Sequence, residues 1–68
     1  MNKGATLLQS ILKKRKMSQA ECARIMEIDR SRLNRIYHGH VMPITREAML
    51  LHSLFDIPVA AWFLLDHE

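Results

Sequence analysis

An all-α fold follows from three features of the chain. Apolar residues recur at spacings of three and four, no segment alternates apolar and polar over a strand's length, and residues 18–39 read as two short amphipathic helices joined by a tight turn. In that stretch, SQAECARIMEIDRSRLNRIYHG, Ser18 and Glu21 form an S-x-x-E capping box, each side chain satisfying a free backbone N–H of the other residue. Ala20, Ala23 and Met26 then recur at helical spacing with Cys22 beside them, which predicts a small apolar face. Glu27-Ile28 breaks the pattern, and Asp29 suits the N-cap of a second helix. That helix ends before Gly39, a residue fitted to the left-handed position past a helix end. Leu33, Ile36 and Tyr37 make its apolar side, and Arg30, Ser31, Arg32, Asn34 and Arg35 its other side. A short helix turning into a donor-studded second helix is the geometry that sets side chains into a DNA major groove, a helix-turn-helix spanning about residues 18–39.

Three further helices complete the expected set of five. The first runs from residue 5 or 6 to 15, with Leu7, Leu8, Ile11 and Leu12 as its apolar stripe and Thr6 with Gln9 as a possible capping box. Lys13, Lys14, Arg15 and Lys16 crowd its last turn, where cations complement the helix dipole. The helix-turn-helix supplies residues 19–26 and 30–38. His40-Val41-Met42-Pro43 is a loop, because proline restricts the residue before it. A fourth helix spans residues 45–55, with Ala48, Leu51, Leu54 and Phe55 facing inward. Pro58 suits the first turn of a fifth, through about residue 65. The core expected from these patterns is Leu8, Ile11, Leu12, Ala23, Met26, Leu33, Ile36, Leu51, Leu54 and Trp62, with Trp62 packing beneath the first and fourth helices.

Sixty-eight residues make one domain, near the lower limit at which a hydrophobic core supports itself. A single cysteine excludes an internal disulfide framework and fits a reducing, cytoplasmic setting. No apolar run approaches ~20 residues, so no membrane span is expected. The first sixteen residues lack a signal peptide's order, since their basic cluster follows the apolar stretch. The net charge of +3 is unevenly placed: all ten lysines and arginines fall in residues 1–46 beside only Glu21, Glu27 and Asp29, giving that part +7. Residues 47–68 carry Glu47, Asp56, Asp66 and Glu68, or −4. A basic end that coincides with the helix-turn-helix is what a polyanion-binding surface requires. A solvated basic face on a helical protein is the plainer explanation of the charge alone. Lys14, at the edge of this surface, is expected to touch a phosphate.

Ser18-Gln19-Ala20-Glu21, Ala23, Leu33, Gly39 and Pro43 fall at the spacings of the lambda repressor-like DNA-binding domains, the Cro and XRE-type regulators, which the chain resembles from Leu7 to Trp62. The resemblance implies a compact five-helix fold, transcriptional regulation and a homodimer on a near-palindromic duplex DNA operator. It further implies that Gln19 anchors to a phosphate and braces a base-reading side chain, and that Arg30, Ser31 and Arg35 reach base edges with Asn34 a further reader. His38, His40 and Arg46, with the exposed amides opening the fourth helix, would lie at the DNA backbone; Arg32 is also expected at a phosphate. Residues 30, 31, 34 and 35 independently share the side opposite Leu33 and Ile36, and arginine can bond both acceptors of guanine. Two positions depart from the family pattern. Glu27 stands where a glycine is common in the turn, and Leu12 with Tyr37 replaces a frequent arginine–glutamate pair by an apolar contact.

Cys22 on an apolar face is expected to be a buried, inert thiol and not a redox sensor. His38-Gly39-His40 resembles half a metal site, but His52 and His67 lack ligand-motif spacing, so neither metal nor cofactor is expected. Trp62, Phe63, Leu64 and Leu65 cannot all face inward from one helix, so Phe63, Leu64 and Leu65 are expected to meet a second copy. No nucleophile paired with a base, carboxylate pair or phosphate-binding glycine loop points to an enzyme. The leading reading is a sequence-specific, Cro-like transcriptional repressor. Its alternatives are an antitoxin-type autoregulator with a toxin or other protein partner, and a helical interaction module that has lost DNA binding.

Overall fold

The computed structural model describes residues 1–65, so Asp66, His67 and Glu68 of the acidic end lie outside the described residues. Helices α1 (Lys3–Arg15), α2 (Gln19–Met26), α3 (Arg30–Tyr37) and α4 (Thr45–Phe55) are followed by a 3-10 turn, Val59–Phe63. Among the described residues there is no strand, only a single antiparallel bridge between Asn2 and Leu65. The chain is therefore all-α, and the expected fifth helix is this short 3-10 segment. Its brevity has a tertiary cause. Leu64 turns extended (φ −106°, ψ 139°), and its carbonyl accepts the Lys3 N–H at 2.8 Å, so the chain leaves the helical path to pair with the start of α1.

The helix starts differ in how they are capped. Asn2 caps α1 by accepting the Ala5 N–H at 2.7 Å, which starts the helix about one turn before the expected Thr6–Gln9 box. Thr6 thus lies inside the helix, and Gln9 instead donates to the Tyr37 carbonyl at 2.7 Å. The Ser18–Glu21 box closes in both directions, each bond 3.0 Å. Asp29 has the extended backbone of an N-cap, yet its side chain makes no capping bond. At α4 the Ile44 N–H donates to Glu47 at 2.9 Å, but Ile44 has no side-chain acceptor to offer in return.

All four helices end in one way. Lys16, Glu27, Gly39 and Asp56 have positive φ (56°, 59°, 75° and 61°). The next residue's N–H then reaches back to a helix carbonyl, five residues earlier for Met17 to Leu12, Ile28 to Ala23 and His40 to Arg35, and six residues earlier, at 3.4 Å, for Ile57 to Leu51. This is the Schellman arrangement, in which an apolar residue past the cap commonly packs back on the helix. Met17 and Ile28 are half-buried against the core and Ile57 is fully buried. Only one of the four left-handed positions is glycine; each of the others bears about 1 kcal/mol of backbone strain that the packing behind it offsets.

The core comprises Ala5, Leu8, Leu12, Cys22, Ala23, Met26, Leu33, Ile36, Ala48, Leu51, Phe55, Ile57, Ala61 and Trp62. Of the expected core residues, Ile11 is only partly buried and Leu54 is 37% exposed. At about 100° per residue, Ala48, Leu51 and Phe55 cluster on one side of α4 and position 54 falls about 60° beyond Leu51. Ala20 is exposed; the apolar face of α2 is Cys22, Ala23 and Met26. Cys22 is fully buried, and burial pushes its thiol up to about 11, so it stays protonated. Trp62 lies flat against Gly4, where any Cβ would overlap the indole. Two glycine changes should thus move stability in opposite directions in urea titrations. Gly4→Ala should lose about 1–3 kcal/mol through overpacking, and Glu27→Gly should gain up to about 1 kcal/mol by relieving the left-handed backbone. Equal effects of one sign would contradict this assignment.

Candidate nucleic-acid interface

The candidate surface starts from how α3 is rolled. Leu33 and Ile36 are fully buried, so Arg30, Ser31, Asn34 and Arg35 are left on the exposed side. With Gln19, the first residue of α2, these four line one open cleft of about 670 Å³. Across it, Asn34 Nδ2 donates to Gln19 Oε1 at 3.1 Å. Neither Arg30 nor Arg35 makes a hydrogen bond or ion pair among the described residues, so both guanidiniums present all their donors to solvent.

Arg32, expected at a phosphate, is the exception on this helix, because its guanidinium is bonded within the fold. Its Nε donates to Glu47 Oε2 at 3.0 Å and its Nη2 to Glu47 Oε1 at 2.8 Å, a forked pair, with a third bond from Nη2 to the Met42 carbonyl at 3.2 Å. Glu47 is 4% exposed and also accepts the Ile44 N–H. The helical wheel explains the assignment: position 32 falls about 40° from Ile36, on the margin of the buried stripe. That angle, together with an acid in the first turn of α4, was the available sequence signal for an inward arginine. The hydrogen bonds from Arg32 hold the Glu47 carboxyl below the usual carboxylate range against the opposing effect of burial.

The remaining expected DNA contacts are dispersed around this cleft. Arg46 is half-exposed; its Nη2 donates to the Met26 carbonyl at 3.0 Å, satisfying the end of α2, and lies 3.7 Å from Glu27. His38 and His40 are exposed at the C-terminal end of α3, with ring centroids 6.0 Å apart. Lys14 is exposed in the last turn of α1. Its neighbour Arg15 is turned away toward α4, over the Phe55 ring at 5.1 Å and donating to the Leu54 carbonyl at 3.4 Å. On a separate face, Phe63, Leu64 and Leu65 are 75%, 51% and 67% exposed. Beside Phe63 lies a groove of about 120 Å³ lined by Pro43, Thr45, Ala48, Met49, Val59 and Trp62, which the sequence patterns did not single out.

A family model of the Cro/C1-type helix-turn-helix DNA-binding domain matches residues 7–50, which takes in most of α1, the helix-turn-helix and about half of α4. The chain belongs to this family of DNA-binding domains. No curated protein and no solved structure matches it. No helix among the described residues is long and apolar enough to cross a membrane.

The Arg32–Glu47 pair makes stability depend on pH in a defined direction. A carboxyl whose folded value lies below its unfolded value, about 4.3, contributes stability above that value and loses it as pH falls through the folded one. Glu47→Gln should therefore lose about 2–3 kcal/mol at pH 7 and flatten the decline in stability on acidification. Urea midpoints measured from pH 7 down to pH 2 check both. An unchanged acid profile in the variant would show that the pair does not couple α3 to α4.

Proposed function

We propose that this chain is a sequence-specific transcriptional regulator, a small Cro-like repressor that lays α3 in the major groove of duplex DNA. The observation that carries this reading is the division among its arginines. Arg32 is committed to the fold, whereas Arg30 and Arg35 stand unpaired in one cleft with Ser31 and Asn34. A guanidinium left without a partner keeps the fork that bonds guanine O6 and N7, and such pairs are the commonest specific contact in the major groove. Gln19, Lys14, His38, His40 and Arg46 would hold phosphates around it, joined by the first-turn N–H groups of α4, which Ile44 cannot cap. Arg32 has no place in that set. A cytoplasmic setting fits a DNA-binding role and the single reduced cysteine.

The second half of the operator would be read by a second copy. Phe63 projects at the edge of the Met49–Val59 groove and, with Leu64 and Leu65, lines a neighbouring hollow beside Met1 and Met42, so a projection and a recess adjoin, as a two-fold interface requires. The molecule measures 30 × 24 × 21 Å, so two copies side by side can set their α3 helices roughly 34 Å apart, one turn of DNA. In an antitoxin-type autoregulator that apolar face would instead hold a different protein. Sedimentation of the chain with a full operator separates these: two copies per duplex support the dimer, and one copy overturns it.

Binding should weaken steeply with salt, log affinity falling about 0.9 for each phosphate contact per tenfold rise. Arg30→Ala and Arg35→Ala should each cost roughly 1–3 kcal/mol per half-site on the selected duplex and little on a scrambled one. Lys14→Ala should weaken both duplexes alike and lower the salt slope. Equal losses on both duplexes from either arginine change would make that residue a phosphate contact, and the absence of salt dependence would remove the DNA reading.

A further inference from the structure

We infer that Met1, Met42 and Met49 form a peroxide-sensitive modification site, whose conversion to sulfoxides separates paired copies and so weakens DNA binding. This rests on the self-association reading and adds to it a means of control. The chain carries six sulfur atoms, five in methionine and one in cysteine. Cys22 and Met26 are fully buried, with Cys22 Sγ donating to Met26 Sδ at 3.8 Å, and Met17 is packed against the core. The reactive form of a cysteine is the thiolate, and burial keeps the Cys22 thiol protonated. Met1, Met42 and Met49 are instead 57%, 41% and 62% exposed, so an oxidant meets thioether sulfur first.

Their placement gives that reaction a consequence. Trp62 and Phe63 border both the Met49–Val59 groove and the hollow beside Met1 and Met42, and no charged side chain lines either recess. Three thioethers thus surround the residues that would meet a second copy. In the reaction, the sulfur gives an electron pair to one oxygen of hydrogen peroxide and the O–O bond breaks. Sulfur is oxidised by two electrons, and the departing hydroxide takes the proton of the transferred oxygen and leaves as water. The product replaces a flexible apolar filler by a polar, chiral side chain. At Met1 the fold already holds donors for it: Thr6 Oγ1 and Gln9 Nε2 donate to the sulfur at 3.5 and 3.6 Å, and a sulfoxide oxygen is a stronger acceptor. Among the described residues none donates to the sulfur of Met42 or Met49, so a sulfoxide there finds its hydrogen bonds in water. Pressed against a second apolar face it loses them, which opposes pairing.

Treatment of the chain with hydrogen peroxide, followed by peptide mass spectrometry and by sedimentation with and without a full operator, tests this. Met1, Met42 and Met49 should each gain one oxygen before Cys22 or Met26 does, with the circular dichroism of the helices unchanged. The dissociation constant of the pair should rise roughly 5- to 150-fold for each sulfoxide buried in it, the range for a polar group left unpaired. Reductases for both sulfoxide epimers should restore the original value. The double variant Met42→Leu/Met49→Leu exchanges two thioethers for hydrocarbons of similar volume, and should lose less on oxidation relative to its own untreated form. A chain with norleucine at all five methionine positions should lose nothing. The inference is overturned if Cys22 or Met26 is oxidised first, if a fully oxidised face pairs as before, or if the norleucine chain loses as much as the methionine one. An untreated chain that places one copy on each duplex would remove the self-association reading itself, a separate and earlier failure.

Discussion

The forked bond between Arg32 and Glu47 ties the middle of α3 to the first turn of α4, and the roll of α3 depends on it. A helix of eight residues with two buried apolar side chains has little else to fix its rotation about its own axis. By taking two carboxylate oxygens and the Met42 carbonyl, the Arg32 guanidinium pins both that rotation and the loop between the helices. A carboxylate as buried as Glu47 would be strongly destabilising without this partner. The pair is therefore a registration device whose value lies in where it leaves the neighbouring side chains.

Those neighbours divide cleanly once α3 is held. Positions 33 and 36 fill the core, position 32 clamps the margin, and positions 30, 31, 34 and 35 have only the cleft to face. The second helix contributes through Gln19, which is set at the cleft's edge because Ser18 and Glu21 fix where α2 begins. Backbone strain at Glu27 is accepted between the two helices for the same geometric end: the left-handed residue lets Ile28 pack inward and turns the chain toward α3.

Much of this was legible from residue spacing. The capping box at Ser18, the bounds of α2 and α4, the left-handed Gly39, and the burial of Leu33, Ile36 and Trp62 are local or periodic properties, and the chain carries them in short windows. Tertiary partners were not legible. Arg32 reads as one more surface cation until Glu47, fifteen residues later, is brought against it, and Arg46 likewise until the Met26 carbonyl is placed beside it. The fifth helix was overextended because proline and apolar periodicity favour a helix there, while the competing bond from Lys3 to Leu64 joins opposite ends of the chain. Leu54 and Ile11 are near misses of a kind that periodicity produces at the edge of an apolar stripe.

The division between an inward arginine and two outward ones is open to a direct measurement. The guanidinium Nε–H resonances of Arg30, Arg32 and Arg35 can be followed by NMR while duplex DNA is titrated into the chain. Arg32 should exchange slowly with water before DNA is added and shift little afterward, because its Nε–H is already bonded to Glu47. Arg30 and Arg35 should exchange fast in the free chain and then shift strongly and slow their exchange on the selected duplex. A large shift at Arg32 with Arg30 and Arg35 unmoved would contradict the orientation of α3 and with it the reading of the cleft as the DNA-contacting surface.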